Sequence, residues 1–314
     1  MPLPRRTFLA VIGAGLLAGC TAPFADSRLR IATGGTQGVY FALGSALAQA
    51  WQSRLELAVR PVVLPTAGSV ENLALLASGA ADVVFSQVDT VADRFTDGGP
   101  TGPTAPRGLA RIYDDVVHVV VPATSPARSV TDLRGLRVSV GAENSGVQMI
   151  ARRLLTAAGL RPDTDIRAQQ LGINESVTAL RDGGIDAFFW SGGVPTAGVS
   201  DLAQTMPIRL LDLQDLLPAV QARYPEYAPG TVAAGTYDIA DPVTTFLVRN
   251  VLLVPAGMPD ALAEALVSVL FGEQVALARA SAAALTIDTR AAIGTQPVPL
   301  HPGAERFYRA AKTG

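Results

Sequence analysis

Two periodicities alternate along the chain. Leu43, Leu47, Ala50 and Trp51 share one face of a helix beginning at Val39, and Ile150, Leu154, Leu155 and Ala158 share one face of a helix from Val147. Each helix follows a short strand and a glycine-bearing loop. Arg30–Thr33 leads into Gly34-Gly35-Thr36-Gln37-Gly38; Arg137–Val140, starting 107 positions after Arg30, leads into Gly141-Ala142-Glu143-Asn144-Ser145-Gly146. Each opening has a sequel of the same form. Leu75–Phe85 reads as a helix end, Gly79, Asp82 and a strand; Leu180–Phe189 reads as a helix end, Gly183, Asp186 and a strand. Gly79, Gly159 and Gly183 are expected to close helices, and the two aspartates to open strands.

Strands alternating with helices of this length imply βαβ units and parallel sheets. The repeat implies two similar lobes. Two strand-like apolar runs, Asp115–Val121 and Thr244–Pro255, are placed as the crossings between them. The expected class is α/β: two lobes, each a central mostly parallel sheet flanked by helices, joined by two interlobe crossovers. Lobe 1 is assigned residues 28–116 plus 250–314, and lobe 2 residues 120–245.

The first twenty residues, MPLPRRTFLAVIGAGLLAGC, read as an address. Arg5 and Arg6 form a charged opening, and Phe8–Ala18 is too short to span a bilayer, which takes about 20 residues. Arg5-Arg6-Thr7-Phe8-Leu9 resembles a twin-arginine export signal, and Leu17-Ala18-Gly19-Cys20 resembles a lipobox. Residues 1–19 are then a signal peptide, Cys20 carries the acyl chains, and residues 20–27 form a tether. The alternative is an ordinary secretory signal with a chance cysteine. Cys20 is the sole cysteine, so a lipidated mature chain has neither disulfides nor thiol chemistry. The longest later apolar stretch, Ala256–Ala284, is interrupted by Asp260, Glu264, Glu273 and Arg279.

Composition narrows the function. With 49% hydrophobic residues, 17% charged and a net charge of −2 over 314 residues, the chain is neither disordered nor basic enough to take nucleic acid as its main partner. Two histidines and one cysteine leave few soft ligands for a metal, and no cofactor is expected.

Ligands of open α/β sheets sit beyond the carboxyl ends of the strands. The loops there carry small polar residues: Thr33–Tyr40, Thr66-Ala67-Gly68-Ser69, Ser86-Gln87 and Glu143-Asn144-Ser145-Gly146. Helix starts with free N–H groups favour anionic groups such as carboxylates, and no arginine occurs in these loops. Ser69 and Ser145 are also natural N-caps. Glu71 in a first helical turn would repel an anion, so its loop could serve ammonium or hydroxyl groups instead. GGxxG lacks dinucleotide-loop spacing. Catalysis finds little footing. His118 lies in an apolar run and reads as a satisfied core or hinge residue, His301 lies in a C-terminal turn, and no G-x-S-x-G elbow occurs. Asp114 and Asp115 are neighbours on a strand and so point to opposite faces.

Several blocks together resemble the TAXI-type solute receptors of TRAP transporters. They are Ala32-Thr33-Gly34-Gly35-Thr36-Gln37-Gly38-Val39-Tyr40, Thr66-Ala67-Gly68-Ser69-Val70-Glu71-Asn72, Val138-Ser139-Val140-Gly141 with Ser145-Gly146, Gly184–Phe189, Ala234-Gly235-Thr236-Tyr237 and Pro299–Arg306. The resemblance implies a two-lobed periplasmic-binding-protein fold closing over a solute. It implies an extracytoplasmic receptor that serves ion-gradient-driven membrane subunits, with glutamate, glutamine, dicarboxylates or oxoacids as ligand classes; with the lipobox at Cys20, the expected protein is a lipid-anchored periplasmic receptor. The expected ligand set is Thr33, Gly34, Gly35, Thr36, Gly38, Val39, Tyr40, Ser69, Gln87, Glu143, Asn144, Ser145, Gly146, Trp190 and Gly193. Gln37, Glu143-Asn144 and Trp190 depart from the family pattern, Trp190 either stacking on ligand or packing at the hinge. A ligand-sensing module and a secreted hydrolase are the alternatives from other classes.

Overall fold

The computed structural model describes residues 22–95 and 98–313. The expected signal peptide, with its arginine pair, and Cys20 lie outside them. The first lobe opens with β1 (Arg30–Ala32), α1 (Val39–Arg54), β2 (Val62–Leu64), α2 (Ser69–Ala77), β3 (Val83–Gln87) and α3 (Val88–Ala92). A long strand, β4 (Pro106–Pro122), leads out of it. The second lobe repeats the order with β5 (Arg137–Ser139), α4 (Gly146–Ala157), β6 (Arg167–Gln169), α5 (Ile173–Arg181) and β7 (Ala187–Gly192). It then adds α6 (Ala197–Thr205), β8 (Ile208–Leu210), α7 (Leu217–Arg223) and β9 (Tyr227–Val232). The second long strand, β10 (Val243–Pro255), returns to the first lobe for α8 (Asp260–Gly272), α9 (Gln274–Ala280) and α10 (Pro302–Thr313).

The repeat extends to single hydrogen bonds. Asp82, just before β3, accepts from the Arg30 backbone N–H at 2.8 Å and from its guanidinium at 2.9 and 3.0 Å. Asp186, just before β7, holds the Arg137 backbone at 2.8 Å and its guanidinium at 2.6 and 3.1 Å. Each aspartate thus ties the first residue of one strand to the start of its parallel neighbour. Gly79 (φ +70°) and Gly183 (φ +72°) turn the chain out of the preceding helices, a conformation that a Cβ penalises.

Where sequence reading expects a sheet in each lobe, the strands form one, ordered β2-β1-β3-β10-β4-β7-β5-β6, with β8 on β4 and β9 on β10. Pairing is parallel among β2, β1 and β3 and among β6, β5 and β7. It is antiparallel wherever β4 or β10 takes part. The two crossings pair with each other from Leu247 opposite Val116 to Pro255 opposite Pro106, which joins the sheets. β4 also begins nine residues before the expected Asp115, because Arg107 and Arg111 interrupt the apolar run that marks its second half. The hydrophobic cores stay separate. One gathers α1, the start of β4, the end of β10, α8 and α10; another gathers the end of β4, α4 and β7. Trp51 on α1 is fully buried and donates to the Leu266 carbonyl of α8 at 3.1 Å.

Among the described residues no single helix is long and apolar enough to cross a membrane. α8 and α9 meet at 69°, and Leu262, Leu266 and Val267 of α8 face the first core. His301 Nδ1 accepts from the Gly303 N–H at 3.1 Å, holding the start of α10.

Candidate functional site

The carboxyl ends of β1, β3, β5 and β7 converge, with the middle of β4, on a cleft between the lobes. Together they enclose a cavity of about 470 Å³. The first lobe contributes Gly34, Gly35, Gly38, Val39 and Tyr40 from the β1–α1 loop and helix start, and Thr66–Ser69 from the β2–α2 turn. Asn72 fixes both: its Nδ2 donates to the Thr33 carbonyl at 2.6 Å and the Phe85 carbonyl at 2.9 Å, and its Oδ1 accepts from Thr66 Oγ1 at 2.7 Å. Neither α1, with Gly38 as N-cap, nor α2, with Gly68, has a side-chain cap; the first turn of α1 keeps uncapped N–H groups at the cavity wall, whereas the Glu71 N–H of α2 is taken by the Asn144 carbonyl.

The second lobe answers with Gly141, Ala142, Ser145 and Gly146 before α4, Gln170–Glu175 around the start of α5, and Phe189–Ser191 at the end of β7. Trp190 has its indole N–H on Thr196 Oγ1 at 3.0 Å, and its ring lies against Gly38. It therefore both lines the cavity and packs the lobes together.

Asp115 of β4 forms the floor, 2% exposed. Its Oδ2 accepts from Gln87 Nε2 at 2.7 Å and Ser191 Oγ at 3.2 Å, and Gln87 Nε2 also donates to Ser191 Oγ at 2.7 Å. Tyr113 and Asn250 lie close by, and Tyr40 donates to the Asn250 side-chain oxygen. Burial raises the Asp115 carboxyl to about 6, despite these neighbours favouring the ionised form. Burial also pushes the Tyr40 and Tyr113 hydroxyls up.

The lobes touch at the cleft. The Asn174 amide of α5 donates to Thr36 Oγ1 at 3.0 Å, and the Glu71 N–H of α2 to the Asn144 carbonyl at 3.0 Å. Deeper, Arg153 of α4 donates to Asp89 of α3 at 3.0 Å, to Asp93 just after α3 at 2.8 Å, and to the Tyr227 hydroxyl at 2.9 Å. Tyr227 also donates to Asp89 at 2.6 Å.

Ten of the fifteen residues expected at the ligand line the cavity: Gly34, Gly35, Gly38, Val39, Tyr40, Ser69, Gln87, Ser145, Gly146 and Trp190. Five do not. Thr33 is buried beneath the loop with its hydroxyl on the Leu64 carbonyl at 2.8 Å. Thr36, Glu143 and Asn144 stand on the exposed rim; Asn144, at φ +62°, uses its carbonyl and not its side chain across the cleft. Gly193 packs against Ala283, Val39 and Tyr113 behind the wall. Ser145 is the expected N-cap, accepting from the Gln148 N–H at 3.1 Å. Ser69 is not a cap: Gly68 holds that position, and the Ser69 hydroxyl accepts from the Gln87 N–H at 3.0 Å, fixing the end of β3. Sequence reasoning missed Asp115, Tyr113 and the Gln170–Glu175 loop. The signal for Asp115 was a carboxylate heading an apolar run that must be buried. The signal for Gln170–Glu175 was the repeat, in which it stands opposite Thr66–Ser69.

His118 is buried on β4, but neither ring nitrogen makes a hydrogen bond of normal geometry, so it is not the satisfied core residue expected. Burial lowers its pKa to about 4. It does not line the cavity. Among the described residues no group of three His, Cys, Asp or Glu side chains is placed to hold a metal ion.

Comparison with solved structures gives the same architecture at low identity. A protein from Bordetella bronchiseptica RB50 superposes with a TM-score of 0.55 at 21% identity, over 91% of this chain and 90% of that one. A putative L-cystine ABC transporter from Listeria monocytogenes gives 0.51 at 15%, over 81% and 94%. An ancestral arginine-binding protein bound to arginine gives 0.50 at 15%, over 82% and 97%. These likenesses show the periplasmic-binding-protein fold. The model of the NMT1-like family matches residues 31–311. The chain belongs to the NMT1-like family.

Proposed function

We propose that this protein is an extracytoplasmic receptor that captures a small amino acid or carboxylate between its lobes and delivers it to the membrane subunits of a TRAP-type secondary transporter. The carrying observation is the cavity itself: it draws on loops from both lobes, and the chain passes between the lobes along the two long paired strands β4 and β10, where a hinge would bend. A solute touching both sides favours closure by the difference in its contacts between the open and closed forms. The sequence blocks that resemble the TAXI receptors support the TRAP assignment, since the loops they contain form the first-lobe wall. The arginine pair and Cys20 support export and lipid anchoring at the periplasmic face.

The test combines binding with transport. Calorimetry of the mature chain against amino acids, dicarboxylates and oxoacids, with small-angle scattering on each binder, should give one-to-one saturation and a smaller radius of gyration. Proteoliposomes holding the cognate permease should take up radiolabelled binder only with this protein and an ion gradient, without ATP. Uptake requiring ATP would exclude the TRAP assignment.

A further inference from the structure

The electrostatics of the cavity narrow its ligand. Its wall holds two carboxylates, Asp115 and Glu175, and no arginine, lysine or histidine. Asp115 is as buried as Asp89, yet the two are treated differently. Asp89 has the Arg153 guanidinium at 3.0 Å, whereas only neutral groups surround Asp115. A buried carboxylate is ordinarily paired with a cation.

Among the residues that line the cavity, the unpaired polar atoms have the same sense. Asp115 Oδ1 and Gln87 Oε1 are both buried without a hydrogen-bond partner, and so is Asn174 Oδ1 on the opposite wall. All three are acceptors; an unpaired donor, Asn250 Nδ2, lies beside Asp115 but off the cavity wall. The Gln87 amide cannot turn over to offer a donor instead. Its Nε2 is committed to Asp115 and Ser191, and reversal would set two oxygens against each other. A fully anionic ligand would meet two like charges and lone pairs; a protonated amine would supply the missing cation and donors.

We infer that the ligand carries a protonated primary amine whose ammonium binds at Asp115 Oδ1 and Gln87 Oε1. Resting on the reading of the cleft as a solute site, this makes the ligand class an α-amino acid rather than a dicarboxylate. Its carboxylate would lie toward the uncapped start of α1, which has no acidic residue in its first turn and where neutral N–H donors suffice because the ligand brings its own counter-charge.

The experiment pairs ligands that differ only in the amine: L-glutamate against glutarate, and each other L-amino acid that binds against its desamino acid, by calorimetry at pH 7.5. The amine-bearing member should bind about 100-fold more tightly, the usual effect of stranding one partner of a buried charged pair. Asp115→Asn should abolish most of that preference and improve glutarate binding, with thermal melting confirming that the variant folds. If desamino acids bind as tightly as amino acids while scattering still reports closure, the amine assignment is overturned and the receptor reading stands. If no member of either panel binds, both are overturned.

Discussion

The side-chain oxygen of Gln87 lies against the α-carbon of Gly146, so close that a β-carbon there would stand 1.9 Å from it. One residue belongs to the first lobe and the other to the second, so this glycine sets how far the cleft can shut. Gln87 cannot swing aside freely, because Asp115 and Ser191 hold its amide. Gly146→Ala should therefore fold normally, since alanine favours a helix start at least as well. The clash in the closed form should weaken solute binding by about 10- to 100-fold, as overpacking costs about 1–3 kcal/mol. Calorimetry with scattering checks both parts; unaltered affinity would show that the lobes close without this contact.

Arg153 and Asp89 form a buried ion pair between lobes. Removing one partner leaves a buried charge, so Arg153→Ala should destabilise the protein by about 3–5 kcal/mol, while replacing both by neutral residues costs far less. Denaturant unfolding of Arg153→Met, Asp89→Asn and the double variant should show strong non-additivity. Additive losses would mean that the pair contributes nothing as a pair.

Much of the fold was legible because it is written twice. Arg30 with Asp82 and Arg137 with Asp186 occupy equivalent places, and the glycines closing the preceding helices are local signals that need no tertiary information. The wall glycines were legible for the same reason, as loops between a strand and a helix. Asp115 was not: its meaning depends on Gln87, Ser191 and Asn250, brought to it from three distant strands. Ser69 misled because a serine beside a helix start looks like a cap whether or not a distant N–H claims its hydroxyl.

Acid stability should depend on His118. Its folded pKa of about 4 lies below the ordinary 6.5, so the native state excludes a proton that the unfolded chain takes up. The stability is intact above about pH 6.5 and falls on the order of 3 kcal/mol as pH drops toward 4. Asp115, raised to about 6 by burial, acts in the opposite sense over an overlapping range. Comparison of His118→Phe with the parent isolates the histidine: the variant should lose less stability between pH 7 and pH 4.5. Parallel pH profiles would refute the assignment.

Anchoring should rest on Cys20 alone. Cys20→Ala should move the protein from the membrane fraction to the soluble periplasmic fraction without altering solute affinity. Persistent membrane association would refute the lipoprotein reading.

The central claim is that the cleft holds one small solute, and native mass spectrometry of the freshly purified mature chain addresses it most directly. The predicted result is a one-to-one small-molecule adduct, either co-purified or formed on incubation with the amino-acid panel, that is lost on unfolding. A chain that stays bare with every compound offered would contradict it.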